Sequence, residues 1–237
     1  MPKGYSEDVP PELREPVPYN RQTVDARNPI ARFAHRRRLQ VAVREAAQLI
    51  PATGTLLDFG CGPGIFLRDL GAARRDVELI GYDPYAKQTF HGMRLVSDPN
   101  EIVDGRIDML TALETCEHLT DSELSELIRI ARRLLQPSGA LLISVPIIGG
   151  PGLLMKEANR MVVHRRREYS AREILQAAFQ GKPAPRHADI KLSHKGFDFR
   201  KLHSQLAAEL TCERTWLSPF PRMHWSLNSQ AFSLWRL

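Results

Sequence analysis

The stretch LLDFGCGPGIFL, Leu56 to Leu67, decides how the rest of the chain is read. An apolar run ends at Phe59, a helical pattern opens near Ile65, and three glycines, Gly60, Gly62 and Gly64, alternate between them. Glycine at such a junction lets the backbone turn tightly and approach a ligand with no Cβ in the way. A dinucleotide site asks for the spacing G-x-G-x-x-G, with a pyrophosphate on the helix N-terminus. Here the spacing is G-x-G-x-G, and Asp58 stands in the approach to the loop. Its carboxylate repels a pyrophosphate and welcomes a ligand with a positive centre.

On either side of this loop, short apolar runs alternate with helical patterns. TLLDF is followed by FLRDLGAA, VELIGYD by MRLVSD, and IDMLTAL by a long helix and then ALLISVPI. Alternation of this kind predicts a parallel sheet with helices on both faces. Before the loop, Leu39, Val43, Ala46 and Ile50 recur at helical spacing and predict a helix that stops at Pro51. Another helix is predicted from an Asp121 cap through Leu124, Leu127, Ile128, Ala131, Leu134 and Leu135. The closing runs TCERTWLSPF and SQAFSLWRL alternate apolar and polar residues and predict an antiparallel pair at a sheet edge.

The 237 residues, 43% of them hydrophobic, suit one generous globular domain. No apolar stretch is long enough to read as a membrane span, and the start MPKGYSEDVPPELREPVPYN lacks the apolar core of a signal peptide, so the chain is read as cytoplasmic. Prolines at positions 2, 10, 11, 16 and 18 predict an irregular arm over residues 1–27, able to close over a ligand as a lid. Residues 28–237 then form a single domain, with an acceptor-side insertion at roughly 150–205. Cys61, Cys116 and Cys212 are odd in number and far apart, which excludes a disulfide framework and a Cys-x-x-Cys site. The net charge of +6 gathers in HRRR (His35 to Arg38) and HRRRE (His164 to Glu168). No nucleic-acid motif accompanies it, so these clusters are read as solvated faces and a nucleic-acid partner is not expected.

LLDFGCGPG resembles the first motif of the class I S-adenosylmethionine-dependent methyltransferases, and LIGYDP, IDMLTALETCEHL and LLQPSGALLISVP resemble later segments of that family in order and spacing. The resemblance covers roughly residues 28–150. It implies a doubly wound, mostly parallel seven-stranded α/β sheet with an antiparallel edge strand, and S-adenosyl-L-methionine as cofactor. It also implies a cofactor site built from Asp58, Phe59, Gly60, Cys61, Gly62 and Gly64 around the amino-acid part, and from Asp83 and Pro84 at the ribose. A carboxylate suits two adjacent hydroxyl donors. Asp98 reads either as an adenine contact or as a turn former, and Leu113 either as a cofactor contact or as plain core. NPIAR, Asn28 to Arg32, is similar to the Asn-Pro-x-Arg entry of the ubiquinone-pathway O-methyltransferases, whose arginine meets the cofactor carboxylate. That role falls on Arg32, although here the arginine comes one residue late.

Glu114, Glu117 and His118 fit the spacing E-x-x-E-H, and on a helix positions i, i+3 and i+4 share a face. Ubiquinone-pathway O-methyltransferases and small-RNA 2′-O-methyltransferases resemble this stretch and hold a divalent metal with it. The resemblance makes His164 the fourth ligand. Other small-molecule members carry Glu-His here without an ion, and the ion-free arrangement is the expectation for this chain. His118 is then a catalytic or positioning base, and His194, in the loop SHKGFDF, its preferred companion. The expected activity is O-methylation of a small acceptor, anionic if Arg165, Arg166 and Arg167 face it. Methylation of an RNA 2′-oxygen is the alternative. A third reading is a catalytically silent fold that binds a partner, and the retention of Asp58, the glycines, Asp83 and the Glu-His pair argues against it.

Overall fold

The structure, a computed structural model, describes residues 29–84, 92–154, 157, 158, 161, 168–191 and 193–237. The arm of residues 1–27, His164 and Arg165 to Arg167 lie outside the described residues. Two compact units are present, Met1–Arg36 and Arg37–Leu237. In the first, the described residues are the opening turns of helix α1 (Pro29–Leu49), where Arg32 lies.

In the second unit seven strands form one sheet. They are β1 (Thr55–Phe59), β2 (Glu78–Tyr82), β3 (Arg94–Val96), β4 (Ile107–Leu113), β5 (Leu135–Pro146), β6 (Thr211–Ser218) and β7 (Gln230–Arg236), in the order β3-β2-β1-β4-β5-β7-β6. The first five run parallel. β7 runs antiparallel to both β5 and β6 and so builds the antiparallel pair at the edge. Helices α2 (Ile65–Ala73) and α3 (Asp121–Leu134) connect parallel strands. After β5 come α4 (Ala171–Phe179) and α5 (Phe199–Ala207), within the segment read as an insertion.

Both faces of the sheet are covered, and the strand period shows it. Leu57 and Trp235 join the core shared with Leu127, Ala131 and Leu206. Their neighbours Leu56 and Leu234 face the opposite core, with Ala46, Leu67 and Leu70. The α3 start differs from expectation by one residue. Thr120 caps it, its hydroxyl accepting from the Glu123 N–H (3.2 Å) while Glu123 accepts from the Thr120 N–H (2.8 Å), and Asp121 is the first helical residue.

Parallel strands place their carboxyl ends on one side. The loops after β1, β2, β4 and β5 therefore share that side, and β7, running the other way, brings its first residue Gln230 to it. In open α/β sheets this is where ligands bind.

Candidate active site

The glycine loop follows β1 as read from the sequence, and Gly60, Gly62 and Gly64 all have positive φ. Gly60 (φ 79°) is forced to be glycine by a neighbour: a Cβ there would lie 2.5 Å from Thr115 Oγ1. Gly62 (φ 50°) is the opposite case, since a Cβ there would meet nothing within 4 Å. The loop is tied to the end of β2. Tyr82 O accepts from the N–H groups of Gly60 (2.7 Å) and Cys61 (3.1 Å), and Asp83 Oδ2 accepts from the Gly62 N–H (2.9 Å). This last bond fixes the Asp83 carboxylate beside the open space at Gly62. The cradle thus fits a ligand that comes close to the backbone and offers donors to a carboxylate.

Asp58 is buried and receives one short hydrogen bond, from Thr111 Oγ1 (2.6 Å). Burial pushes its carboxyl up to about 7, the Thr111 bond opposes this, and the nearby Asp83 charge adds to it. Burial, with the charges of Asp58 and Asp83, also pushes the Cys61 thiol up to about 12, so Cys61 packs as a small apolar residue and is not a nucleophile. Asp98 caps the short turn Pro99–Glu101, its Oδ1 accepting from the Asn100 N–H (2.8 Å), so the turn-forming reading describes its side chain. Leu113 is partly buried and packs against the core that holds Phe66 and Leu67.

After β4 the chain departs from the expected helical turn. Glu114 takes a positive φ of 54°, and only Cys116–His118 form a short 3-10 turn. Glu114 and Glu117 therefore do not share a helical face, which corrects the E-x-x-E-H metal set. The Glu114 carboxylate is instead held by Arg38 Nη1 (2.5 Å), Ser144 Oγ (3.3 Å) and Gln230 Nε2. Arg38 belongs to the HRRR cluster read as a solvated face, yet its side chain is only 15% exposed. Thr115 Oγ1 donates toward the carbonyls of Leu113 (3.2 Å) and Phe59 (3.3 Å), closing this turn against the glycine loop.

Glu117, His118 and His194 come together instead, with one ligand atom from each lying within 4.8 Å of the others. Glu117 is fully buried, and neither carboxylate oxygen has a hydrogen-bond partner among the described residues. Burial first, then the Glu114 charge, pushes its carboxyl well above the usual range. His118 Nδ1 lies 2.9 Å from Ile190 O. A carbonyl only accepts, so Nδ1 carries the proton and neutral His118 turns the lone pair of Nε2 toward the cluster. His194 Nε2, 2.9 Å from it, is then the donor of that contact, and it lies 4.0 Å from Glu117 Oε1. Burial, followed by the charges of Arg186 and Lys191, pushes His118 below its ordinary value.

The segment after α4 is fastened to this turn. Arg186 Nη2 donates to the Glu117 carbonyl, and the Arg186 guanidinium stacks on Phe197 at 5.5 Å. Lys191 and Lys195 are committed to Glu123 (2.7 Å) and Glu173 (3.0 Å). Thr111, Arg38, Ser144, Gln230 and Arg186 were not among the residues read as functional from the sequence. Only Arg38 left a signal there, as part of a basic cluster.

The sequence profile of a family described as a methyltransferase domain matches residues 30–188. No curated protein matches the chain. Among solved structures, the PH0226 protein of Pyrococcus horikoshii superposes with a TM-score of 0.56 at 15% identity, covering 92% of this chain and 95% of that one. A TehB-like SAM-dependent methyltransferase from Corynebacterium glutamicum gives 0.52 at 15% identity, over 82% and 86%. Geranyl diphosphate C-methyltransferase from Streptomyces coelicolor, solved with Mg²⁺, geranyl diphosphate and S-adenosyl-L-homocysteine, gives 0.56 at 12% identity, over 87% and 80%. These likenesses carry the fold. With the glycine cradle, the buried Asp58 and the family match over two thirds of its length, the chain belongs to the methyltransferase-domain family and is an S-adenosylmethionine-dependent methyltransferase.

Proposed function

We propose that the enzyme transfers the cofactor's methyl group to an oxygen of a small acceptor held against Glu117, His118 and His194. The convergence of these three side chains on one point beside the carboxyl end of β4 carries this reading. The glycine loop and Asp58 hold the amino-acid part of the cofactor, and Asp83, aimed by the Gly62 N–H, takes the ribose hydroxyls. The bound cofactor supplies a methyl group on a sulfonium whose positive charge disappears as the carbon–sulfur bond breaks, so alignment and exclusion of water are the protein's main tasks. A hydroxyl acceptor must also lose its proton. As the acceptor hydroxyl enters, it replaces the His194 N–H at the lone pair of His118 Nε2, which the Ile190 carbonyl on the far nitrogen keeps unprotonated, and that nitrogen receives the hydroxyl proton as the oxygen–carbon bond forms. His194, displaced from that contact, turns its Nε2–H to the acceptor and orients it.

The same three groups fit a divalent cation that displaces the Nε2 proton of His194. A buried carboxylate with no hydrogen-bond partner among the described residues calls for a compensating charge, and a histidine whose second nitrogen donates to a carbonyl has the arrangement usual for a metal ligand. Bound there, the ion would polarise the acceptor hydroxyl and ease its ionisation. Of the set read from the sequence, Glu117 and His118 remain in this proposal, His194 joins them, and Glu114 is engaged elsewhere.

The test is label transfer from methyl-labelled S-adenosylmethionine to pooled small metabolites and, separately, to RNA. Label in the metabolite pool is expected, and label confined to RNA would overturn the small-acceptor reading in favour of RNA 2′-oxygen methylation. The cation reading requires that exhaustive chelation abolish turnover and leave affinity for S-adenosylhomocysteine unchanged. Undiminished turnover would remove the cation and leave His118 as the base. In either case His118→Ala should slow transfer by about 10² to 10⁴.

A further inference from the structure

Beyond the site, the loop between β6 and β7, residues 219–229, and the outer face of α4 carry an unusual surface. Phe220 (51%), Met223 (51%) and Leu227 (50%) are exposed in the loop, and Leu175 (54%) and Phe179 (66%) on α4. Positions 175 and 179 are one helical turn apart and share a face. The two segments adjoin: Gly181, just past α4, packs near the Trp225 ring, and Gly150 donates to the Ala177 carbonyl (3.0 Å) while its Cα faces Ser226.

The loop is internally satisfied. Asn228, only 6% exposed, accepts from the Phe220 N–H (2.7 Å) and donates to the carbonyls of Phe220 (3.0 Å) and His224 (3.2 Å). The Ser229 N–H closes the base on Ser218 O (3.0 Å). Polar backbone groups are thus spent inside, and apolar side chains are held outside in water, an arrangement that marks an interaction surface. The loop's charge has one sign, and on the α4 side Glu173 and Asp198 are paired with Lys195 and Arg200. No Asp or Glu occurs from Thr215 to Leu237, Arg222 stands between Phe220 and Met223, and exposed Lys182 follows α4. A second copy docked on the same face would set these cations against themselves. A protein partner would have to bring acidic side chains to meet these cations, and lysine such as Lys182 is depleted at protein interfaces. An anionic bilayer surface satisfies both, apolar tips entering the acyl boundary and cations meeting phosphates.

We propose that this rim seats the enzyme on an anionic lipid surface, through Phe179, Phe220, Met223 and Leu227 with Arg222 and Lys182. The loop ends at Gln230, which bonds Glu114, so the rim and the site share the carboxyl end of the sheet. The acceptor would then be a lipophilic molecule drawn from the membrane. That last clause rests on the methyl-transfer reading; the docking does not.

The experiment is co-sedimentation of the full chain with vesicles of phosphatidylcholine alone and of phosphatidylcholine with phosphatidylglycerol in a two-to-one ratio. Binding to the anionic vesicles, weakened by salt, is expected, with the triple variant F220S/M223S/L227S losing about tenfold or more in affinity. Its S-adenosylhomocysteine affinity and melting temperature should match the wild type, which separates loss of docking from loss of the cofactor site. Should the triple variant not fold, Phe179→Ser serves the same comparison. Absence of wild-type binding to both vesicle types would overturn the proposal, as would equal binding by the variants. So would a wild-type dimer in light scattering that the variants convert to monomer.

Discussion

Asp58 is the residue whose chemistry is most exposed to experiment. Folding moves its carboxyl from about 4 to about 7, because burial disfavours the charge more than the Thr111 bond favours it. The folded state therefore binds the proton more tightly than the unfolded chain. Its contribution is fully present below pH 4, is lost as pH rises toward 7, and is constant above that. One pKa unit is worth 1.36 kcal/mol, so the loss is roughly 4 kcal/mol at most. Asp58→Asn, which keeps the shape and cannot ionise, should raise the melting temperature relative to wild type more at pH 8 than at pH 5. A cationic ligand reverses the preference. Calorimetric affinity for S-adenosylmethionine should rise between pH 6 and pH 8 in the wild type and be flatter in the variant, and the same slope in both would remove Asp58 from the cofactor site.

At the scale of elements, the loop after β1 and the turn after β4 are clamped together by Thr115, and this is why two glycines with similar φ should respond differently to the same change. Gly60→Ala drives a methyl group into the Thr115 side chain and strains a φ of 79°, and should cost about 2 to 4 kcal/mol of stability in urea unfolding. Gly62→Ala meets no atom, so its cost should stay near the 1 kcal/mol of the strained backbone, while the methyl group fills the cradle and weakens S-adenosylhomocysteine binding at least tenfold. Equal affinity in Gly62→Ala and wild type would show that the ligand lies elsewhere. The glycine loop was legible because its three positive-φ positions favour glycine and so mark the turn in the sequence. The turn after β4 was not. E-x-x-E-H is a helical pattern, but Glu114 adopts a left-handed conformation and trades the helical face for three donors, from Arg38, Ser144 and Gln230, that lie 76, 30 and 116 residues away in sequence. No local spacing encodes such a choice.

At the scale of the whole molecule, the sheet was readable almost strand by strand, because burial on both faces demands apolar runs and the parallel connections demand helices between them. The edge pair was readable from its alternation, seen in Phe232 and Leu234 on one face and Trp235 on the other. What could not be read was the acceptor side. His194 reaches His118 only because Arg186 and the Ile190 carbonyl fasten a long loop to the turn after β4, contacts that connect residues about 70 positions apart. The HRRR cluster likewise divides only in three dimensions, with Arg38 drawn inward to Glu114 while Arg36 and Arg37 stay exposed. The central claim is that the end of β2 and the glycine loop form one cofactor site, with Asp83 as its anchor. Calorimetric titration of S-adenosylhomocysteine into the wild type and into Asp83→Ala tests this most directly. Saturable one-to-one binding by the wild type is expected, with a loss of about 1.5 to 3 kcal/mol in the variant, the scale of hydrogen bonds to a charged group. Identical affinity in the two proteins, or no binding by either, would contradict it.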